Sequence, residues 1–228
     1  MLYPIQNGKR NRRELTGFWD FQTDPRAVGA QEGWYSGLNA PRPMAVPGSW
    51  NEQYPDLDGY FGLAWYLRDE YIPSAWQGER VYLRVGSANY HADVWINGVR
   101  VGSHEGGHLP FAFDITDQVK WDQTNTIAIT VENELKPDRV PAGNGTGAAA
   151  GIVPGFPRTT YDFYPYAGLH RPVVLYSVPS VSIEDVTVVT ELDGKDGIVR
   201  VEVERENQGV VEVALRGRGS EYLSLIHI

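Results

Sequence analysis

Histidine and carboxylate side chains cluster in one glycine-rich stretch, His104–His108, which reads HEGGH. His104 and His108 are four residues apart, a spacing that would bring two metal ligands to one face of a helix. Gly106 and Gly107 favour a turn at this point instead, since glycine accepts the backbone angles of a sharp bend. We therefore assign neither a metal site nor a cofactor to this pair. The sequence has no cysteine, which excludes thiol catalysis and thiolate metal sites.

Paired carboxylates could carry general acid–base chemistry, but the sequence offers no clear pair. Glu70, Glu105 and Glu132 each fall in a predicted strand or turn, and nothing in the sequence joins two of them. His170 has no serine or cysteine nucleophile arranged with it, so we interpret it as a packed or hydrogen-bonded side chain.

The HEGGH stretch lies between segments that alternate apolar and polar residues with a period of two. Such alternation predicts β-strands with two different faces. The dipeptide Asn97-Gly98 follows the first segment directly and predicts a tight type I′ hairpin, because both residues tolerate positive φ. The same alternation recurs in Leu15–Phe21, Ala64–Ile72, Arg80–Val85 and Thr126–Val131.

Many short strands separated by Gly- and Pro-rich turns predict an all-β sandwich or barrel. Two connections stand out. The segment Ser49–Gly62 is predicted to be a loop that carries aromatic residues, and Lys136–Arg158 is a long loop rich in proline and glycine. Long loops in compact domains often form the walls or lids of functional sites. A boundary between domains is predicted at Pro179-Ser180.

The composition excludes several classes of protein. The net charge of −9 argues against a binder of nucleic acid or of anionic membranes, which needs clustered Lys and Arg. The basic cluster Lys9–Arg13 is interpreted as a solvated terminal segment. Neither a secretory signal nor a membrane-spanning stretch is visible, so we expect a cytoplasmic protein. Seven Trp and thirteen Tyr suit either sugar contacts or an aromatic core.

Four motifs in series carry a resemblance to a known family. They are Val46–Asn51 (VPGSWN), Val94–Gly98 (VWING), His104–Phe111 (HEGGHLPF) and Asp162–Arg171 (DFYPYAGLHR). In order and spacing they resemble glycoside hydrolase family 2 over residues 1 to about 215. The segment Tyr166–Arg171 is more similar to the glucuronidase version of this motif than to the galactosidase version.

The resemblance implies a jelly-roll β-sandwich in residues 1–179, followed by an incomplete immunoglobulin-like sandwich in residues 180–222. It also implies a (β/α)₈ barrel in a longer parent protein, with the acid/base and nucleophile glutamates of a retaining mechanism. A barrel needs ~250 residues, so we expect both catalytic glutamates to lie outside this chain and assign it no catalytic residue. Residues 223–228 (LSLIHI) resemble a translated sequencing adapter; the alternative is an ordinary apolar strand.

The resemblance also implies roles for three residues. Asp162 matches an aspartate that reaches from the sandwich into the active site of the barrel and contacts the sugar; a carboxylate suits this role because it accepts several hydroxyl hydrogen bonds. The alternative is an aspartate that caps a turn. Arg171 and His170 match the same motif and are predicted at a domain interface, where Arg171 could pair with a carboxylate.

The expected function is therefore that of the non-catalytic N-terminal part of an exo-glycosidase whose parent hydrolyses β-glucuronides or related glycosides and forms a homo-oligomer. Two alternatives stay open. The chain could be a stand-alone carbohydrate-binding module that presents aromatic side chains to sugars, since the jelly roll is a common lectin fold. It could also be a piece of a galactosidase of the same family.

Overall fold

A computed structural model describes residues 3–143, 164–217 and 220–227 of the chain. Asp162, the predicted sugar contact, and most of the loop Lys136–Arg158 lie outside these residues. Contacts between Cα atoms divide the chain into two compact units, Met1–Ser177 and Val178–Ile228. Within the described ranges, no helix is both long enough and apolar enough to cross a membrane.

The first unit is built from two antiparallel sheets. A six-stranded sheet has the order β3-β2-β4-β9-β6-β7, with β2 at Gly17–Asp24, β3 at Arg42–Val46, β4 at Leu63–Ile72, β6 at His91–Ile96, β7 at Val99–Glu105 and β9 at Gln123–Glu132. A four-stranded sheet has the order β1-β10-β5-β8, with β1 at Asn11–Glu14, β5 at Arg80–Asn89, β8 at Phe111–Asp114 and β10 at Gly168–Val178. Five three-residue 3₁₀ helices join these strands at Trp34–Ser36, Trp50–Glu52, Pro55–Leu57, Ser74–Trp76 and Thr116–Gln118.

Apolar faces of both sheets form one core. The alternation in β5 places Val81, Leu83 and Val85 in it, and all three are fully buried. A smaller aromatic cluster of Trp34, Trp65 and Trp95 lies apart from this core. The predicted all-β class is confirmed.

The predicted central hairpin is present as β6 and β7. Asn97 and Gly98 have φ values of 51° and 84°, as a type I′ turn requires. The strand predicted at Leu15–Phe21 is β2, which begins at Gly17 and continues to Asp24. Leu15 and Thr16 connect it to β1, a strand of the other sheet that was not predicted. Trp19 and Phe21 do share the buried face of β2.

The second unit consists of two hairpins in its described residues. Strand β11 at Ser182–Asp193 pairs with β12 at Asp196–Glu206, and β13 at Val210–Gly217 pairs with β14 at Ser220–His227. The backbone of residues 223–227 continues β14, as the alternative of an ordinary apolar strand requires.

Candidate functional site

Three of the four sequence motifs meet at one end of the first unit. The backbone N–H of Gly48 donates to the Leu169 carbonyl at 2.8 Å, and the N–H of Trp50 donates to the Ala167 carbonyl at 3.1 Å. These bonds join the VPGSWN motif to the YAGLHR motif. Gly168 fits between them because its φ is 115°, and an added Cβ would lie 2.8 Å from the Tyr66 hydroxyl.

Asn51 fixes this junction with its side chain. The Nδ2 group donates to the carbonyls of Leu57 and Asp58, each at 2.9 Å, while Oδ1 accepts from the N–H of Ala167 at 2.9 Å. Ser49 caps the short helix Trp50–Glu52 by accepting from the Asn51 N–H at 3.2 Å. A buried amide that satisfies three backbone groups is costly to replace, since each group would lose its partner.

Asn89 joins the HEGGH motif to the same place. Its Oδ1 accepts from the His108 N–H at 3.2 Å, and its Nδ2 donates to the Tyr166 carbonyl at 3.0 Å. The N–H of Gly107 donates to the Val140 carbonyl at 3.0 Å. Sequence reasoning missed the role of both asparagines. Asn89 did offer a signal, since a polar residue at the end of an apolar strand such as β5 often forms buried hydrogen bonds.

The motifs enclose an open pocket of about 310 Å³ lined by Glu52, His108, Tyr164, Tyr166 and His170. The rings of Tyr164 and Tyr166 are 4.7 Å apart, and Tyr166 is 43% exposed. The Tyr164 hydroxyl contacts Asp58, and burial together with the Asp58 charge raises the pKa of Tyr164 to about 12.

His170 is one of the two histidines that line this pocket. Its Nε2 atom is buried and has no hydrogen-bond partner among the described residues. Burial lowers the pKa of His170, and the nearby His108 ring, 6.5 Å away between centroids, adds to this effect. A hydrogen bond with the backbone of Ala167 acts in the opposite direction, but the net lowering of the pKa of His170 favours the neutral imidazole.

Aromatic rings, a neutral imidazole and the Glu52 carboxylate together suit a polyhydroxylated ligand. Of the residues predicted from the sequence, His170 lies in this pocket, Arg171 is exposed beside it in the sequence, and Asp162 lies outside the described residues. The domain-interface role of His170 and Arg171 stays a prediction.

The histidines of the HEGGH motif serve different purposes. His104 stacks on Phe111 with ring centroids 4.3 Å apart, and its Nε2 lies 3.1 Å from the Gly106 carbonyl. His108 lines the pocket instead. In the part of the chain that the structure describes, no group of three or more His, Asp and Glu residues could hold a metal ion.

Two glutamates that nothing in the sequence joins are brought together by Arg139. Its Nε lies 2.6 Å from Glu105 Oε1, and its Nη2 lies 2.9 Å from Glu132 Oε2. Burial alone would raise the pKa of Glu132, but hydrogen bonds from Lys136 and Arg139 hold it below its usual value. The carboxyl group that acts as general acid in a glycosidase needs a raised pKa. Glu105 and Glu132 therefore form an ion-pair network with Arg139 and not an acid–base couple.

Comparison with known proteins decides the family. The model of "Glycosyl hydrolases family 2, sugar binding domain" matches residues 12–179. The chain belongs to glycoside hydrolase family 2. The matched range contains all four motifs and the whole pocket.

Individual relatives agree with this assignment. The chain is 40% identical over 223 residues to a β-glucuronidase of Sus scrofa and 38% identical over 222 residues to one of Paenibacillus borealis, covering 89% and 94% of this chain. A solved Ruminococcus gnavus β-glucuronidase superposes with a TM-score of 0.84 at 35% identity over 98% of this chain, and so does that enzyme in complex with D-glucuronic acid. The chain spans 34% and 37% of the two relatives and 38% and 40% of the two solved chains.

Proposed function

We propose that this chain is the N-terminal, non-catalytic part of a β-glucuronidase-type exo-glycosidase. The observation that carries the proposal is the similarity of nearly the whole chain to β-glucuronidases. The convergence of three family motifs on one pocket supports it. In this proposal residues 1–179 form the sugar-binding domain and residues 180–222 begin the next domain. The parent is cytoplasmic and homo-oligomeric.

Within the proposal, the pocket marks the side of the domain that faces the sugar, and Asp162 contributes a carboxylate there. Asp162 is two residues before Tyr164, whose ring lines the pocket. A carboxylate can accept hydrogen bonds from two hydroxyl groups of one sugar ring, which orients the ring without taking part in proton transfer. The acid and the nucleophile belong to the barrel of the parent.

A chimera tests this function. The corresponding N-terminal part of the Paenibacillus borealis β-glucuronidase is replaced by this chain, and turnover of an aryl β-glucuronide is compared with turnover of an aryl β-galactoside. We expect a folded chimera that prefers the glucuronide, and no turnover by the isolated chain. Turnover by the isolated chain would refute the proposed division of labour, and a preference for the galactoside would point to the galactosidase alternative.

A stand-alone carbohydrate-binding module is a second candidate, favoured by the exposed Tyr166 ring beside Tyr164. Aromatic rings of this kind pack against the apolar faces of sugars. Isothermal titration of the chain with glucuronides and neutral oligosaccharides separates the candidates. Clear binding that Tyr166→Ala abolishes favours the module, whereas the absence of binding favours a site completed by the rest of the parent.

A further inference from the structure

The pocket at the junction of the motifs, which we call the Glu52 pocket, holds a carboxylate that no cation neutralises in the described part of the chain. Glu52 is exposed at the end of the 3₁₀ helix Trp50–Glu52, and no Lys or Arg is among the described residues that line the pocket. Burial lowers the pKa of His170 and the Glu52 charge opposes this effect, so the carboxylate lies near that ring. Trp50 is fully buried, which anchors the short helix in the core. The pocket therefore carries a negative charge on a rigid base.

Two tyrosine rings also line the Glu52 pocket. The ring centroids of Tyr164 and Tyr166 are 4.7 Å apart with the planes tilted by 54°, and Tyr166 is exposed. The face of an aromatic ring is negative and attracts cations. A guanidinium group is planar, so it can stack on a ring and donate hydrogen bonds to a carboxylate in its own plane. Glu52 and the two rings together offer the surroundings that an arginine side chain prefers.

Exposed apolar side chains border the Glu52 pocket. Leu109 directly follows His108, which lines the pocket, and the carbonyl of Val140 accepts a hydrogen bond from the N–H of the neighbouring Gly107 at 3.0 Å. The side chains of Leu109 and Val140 are 60% and 67% exposed. Large apolar side chains that are exposed in one place mark a surface that another protein segment covers. The Glu52 pocket thus lies in a surface suited to a protein contact.

We propose that the Glu52 pocket receives an arginine side chain from the remainder of the parent protein. The inference rests on the proposed function, in which the chain is one part of a longer enzyme, and the chain spans 34% and 37% of the two β-glucuronidase relatives. An arginine neutralises Glu52 and stacks on Tyr166, whereas the carboxylate of a free uronate would be repelled by Glu52. The same contact covers Leu109 and Val140.

Titration of the whole chain with N-acetyl-L-arginine methylamide tests the pocket without the parent. We expect a Kd on the order of 1–10 mM from the amide NMR shifts of Ala167 and Gly168. N-acetyl-L-citrulline methylamide has the same shape but no charge, and should bind about fivefold more weakly. Glu52→Gln should remove this difference. Asp117→Asn is the matched control and should keep it, because it removes an exposed carboxylate from the 3₁₀ helix Thr116–Gln118.

The chimera with the Paenibacillus borealis enzyme tests the partner. Glu52→Gln should lower the melting temperature of the chimera by about 2–4 °C, as expected for the loss of one charged contact. It should leave the melting temperature of the isolated chain unchanged, because Glu52 is exposed there. Asp117→Asn should change neither. Glucuronide turnover by the unsubstituted chimera reports on the proposed function, so a failure of that function is distinguished from a failure of this inference.

Three results would overturn the proposal. The first is equal binding of the arginine and citrulline amides to the chain. The second is a Glu52→Gln substitution that leaves the melting temperature of the chimera unchanged or lowers it equally in the chimera and the isolated chain. The third is binding of glucose or D-glucuronate that Glu52→Gln abolishes, which would identify the pocket as a sugar site instead. If the chimera does not fold, the titration with the two amides decides.

Discussion

At the scale of single residues, the candidate site depends on groups that have no chemistry of their own. Asn51 and Asn89 are buried amides that tie three separate motifs to one place, and Gly107 allows the HEGGH turn to pass close to Tyr90. An added Cβ at Gly107 would lie 2.4 Å from the Tyr90 ring. The ring of Tyr90 is fully buried and cannot move aside without disturbing the core.

Gly107→Ala should therefore destabilise the first unit by about 1–3 kcal/mol, the usual cost of overpacking. The measurement is the free energy of unfolding from urea denaturation. Gly59→Ala is the control, because an added Cβ there meets nothing within 4 Å. If both variants unfold at the same urea concentration, the close approach to Tyr90 does not constrain the turn.

His91 gives the molecule a pH-dependent contribution to stability. It faces Asp93 on its own strand, Glu105 on β7 and Glu132 on β9. Hydrogen bonding to Asp93, opposed by burial and reinforced by Glu105, raises the pKa of His91. The folded pKa thus exceeds the unfolded value of about 6.5. The resulting stability is fully present below pH 6.5 and is lost as the pH rises through the folded pKa.

His91→Gln should abolish the fall in melting temperature above about pH 6.5 and leave the alkaline stability nearly unchanged. The pKa values of His104 and His170 are lowered, so these two residues reduce stability as the pH falls below 6.5. They do not affect the change in melting temperature above pH 6.5. Thermal melts at several pH values between about 6.5 and 8.5 provide the measurement. A variant whose pH profile parallels that of the parent chain would show that His91 is not the group that titrates.

At the scale of structural elements, Arg139 fastens the start of the loop that leads towards Asp162. Its side chain is 5% exposed and binds Glu105 on β7 and Glu132 on β9, and its Nη1 donates to the Glu134 carbonyl at 2.6 Å. Arg139 thereby attaches the first, described residues of this loop to β7 and β9 of the six-stranded sheet. Solvent reaches Glu105, so the pair with Glu105 contributes less than the pair with Glu132.

Arg139→Met should destabilise the first unit by about 1–3 kcal/mol, because it leaves the partly buried Glu132 without one of its cations. Arg100→Met is the control, because it removes an exposed arginine from β7 of the six-stranded sheet. It should lower the free energy of unfolding by at most about 1 kcal/mol. Urea denaturation of both variants measures the difference. Equal costs would contradict a fastening role for Arg139.

Strands were predictable from the sequence where large apolar residues alternate with smaller or polar ones. The hairpin around Asn97-Gly98 and the strand Thr126–Val131 appear as β6–β7 and within β9. The alternation did not reveal that Ala128 and Thr130, on the second face of β9, are buried as well. The division between β1 and β2 was not predictable, because β1 is polar and its place in the other sheet is set by pairing with β10. The aromatic segment Ser49–Gly62 was predicted as a loop, yet Trp50 is fully buried, because its ring packs in the core against Phe21 and Tyr66.

The candidate site was predictable only in part. The motifs were found in the sequence, and His170 belongs to the pocket, but their convergence depends on contacts between residues far apart in the chain, such as Asn89 with Tyr166. Glu52 carried no signal of its own, and Tyr164 was noticed only as part of the motif Asp162–Arg171. The pairing of Glu105 and Glu132 on Arg139 is equally non-local, and only the sheet register reveals it.

At the scale of the whole molecule, the two units differ in how well they bury apolar residues. The first unit has a continuous core, whereas the described part of the second unit exposes a series of apolar side chains on β11 and its neighbours: Val181, Ile183, Val186, Val188, Val189, Leu192, Val199 and Val210. Exposed apolar strands favour association between chains.

A chain that ends at Pro179 should therefore stay monomeric at concentrations where the 228-residue chain associates. Size-exclusion chromatography with light scattering over a tenfold range of concentration is the measurement. The shortened chain keeps all residues of the pocket, so its far-ultraviolet circular dichroism should still report a folded β protein. Association by both chains would place the contact in the first unit instead.

The most direct test concerns the acidic side chain that this unit is proposed to contribute to a sugar site completed by the parent. In the chimera with the Paenibacillus borealis enzyme, Asp162→Asn should lower kcat/KM for an aryl glucuronide by about 10–100-fold, the loss expected for charge-assisted hydrogen bonds. Asp117→Asn, which changes an exposed aspartate in the 3₁₀ helix Thr116–Gln118, should leave kcat/KM unchanged. Equal kcat/KM values for both variants would contradict the account.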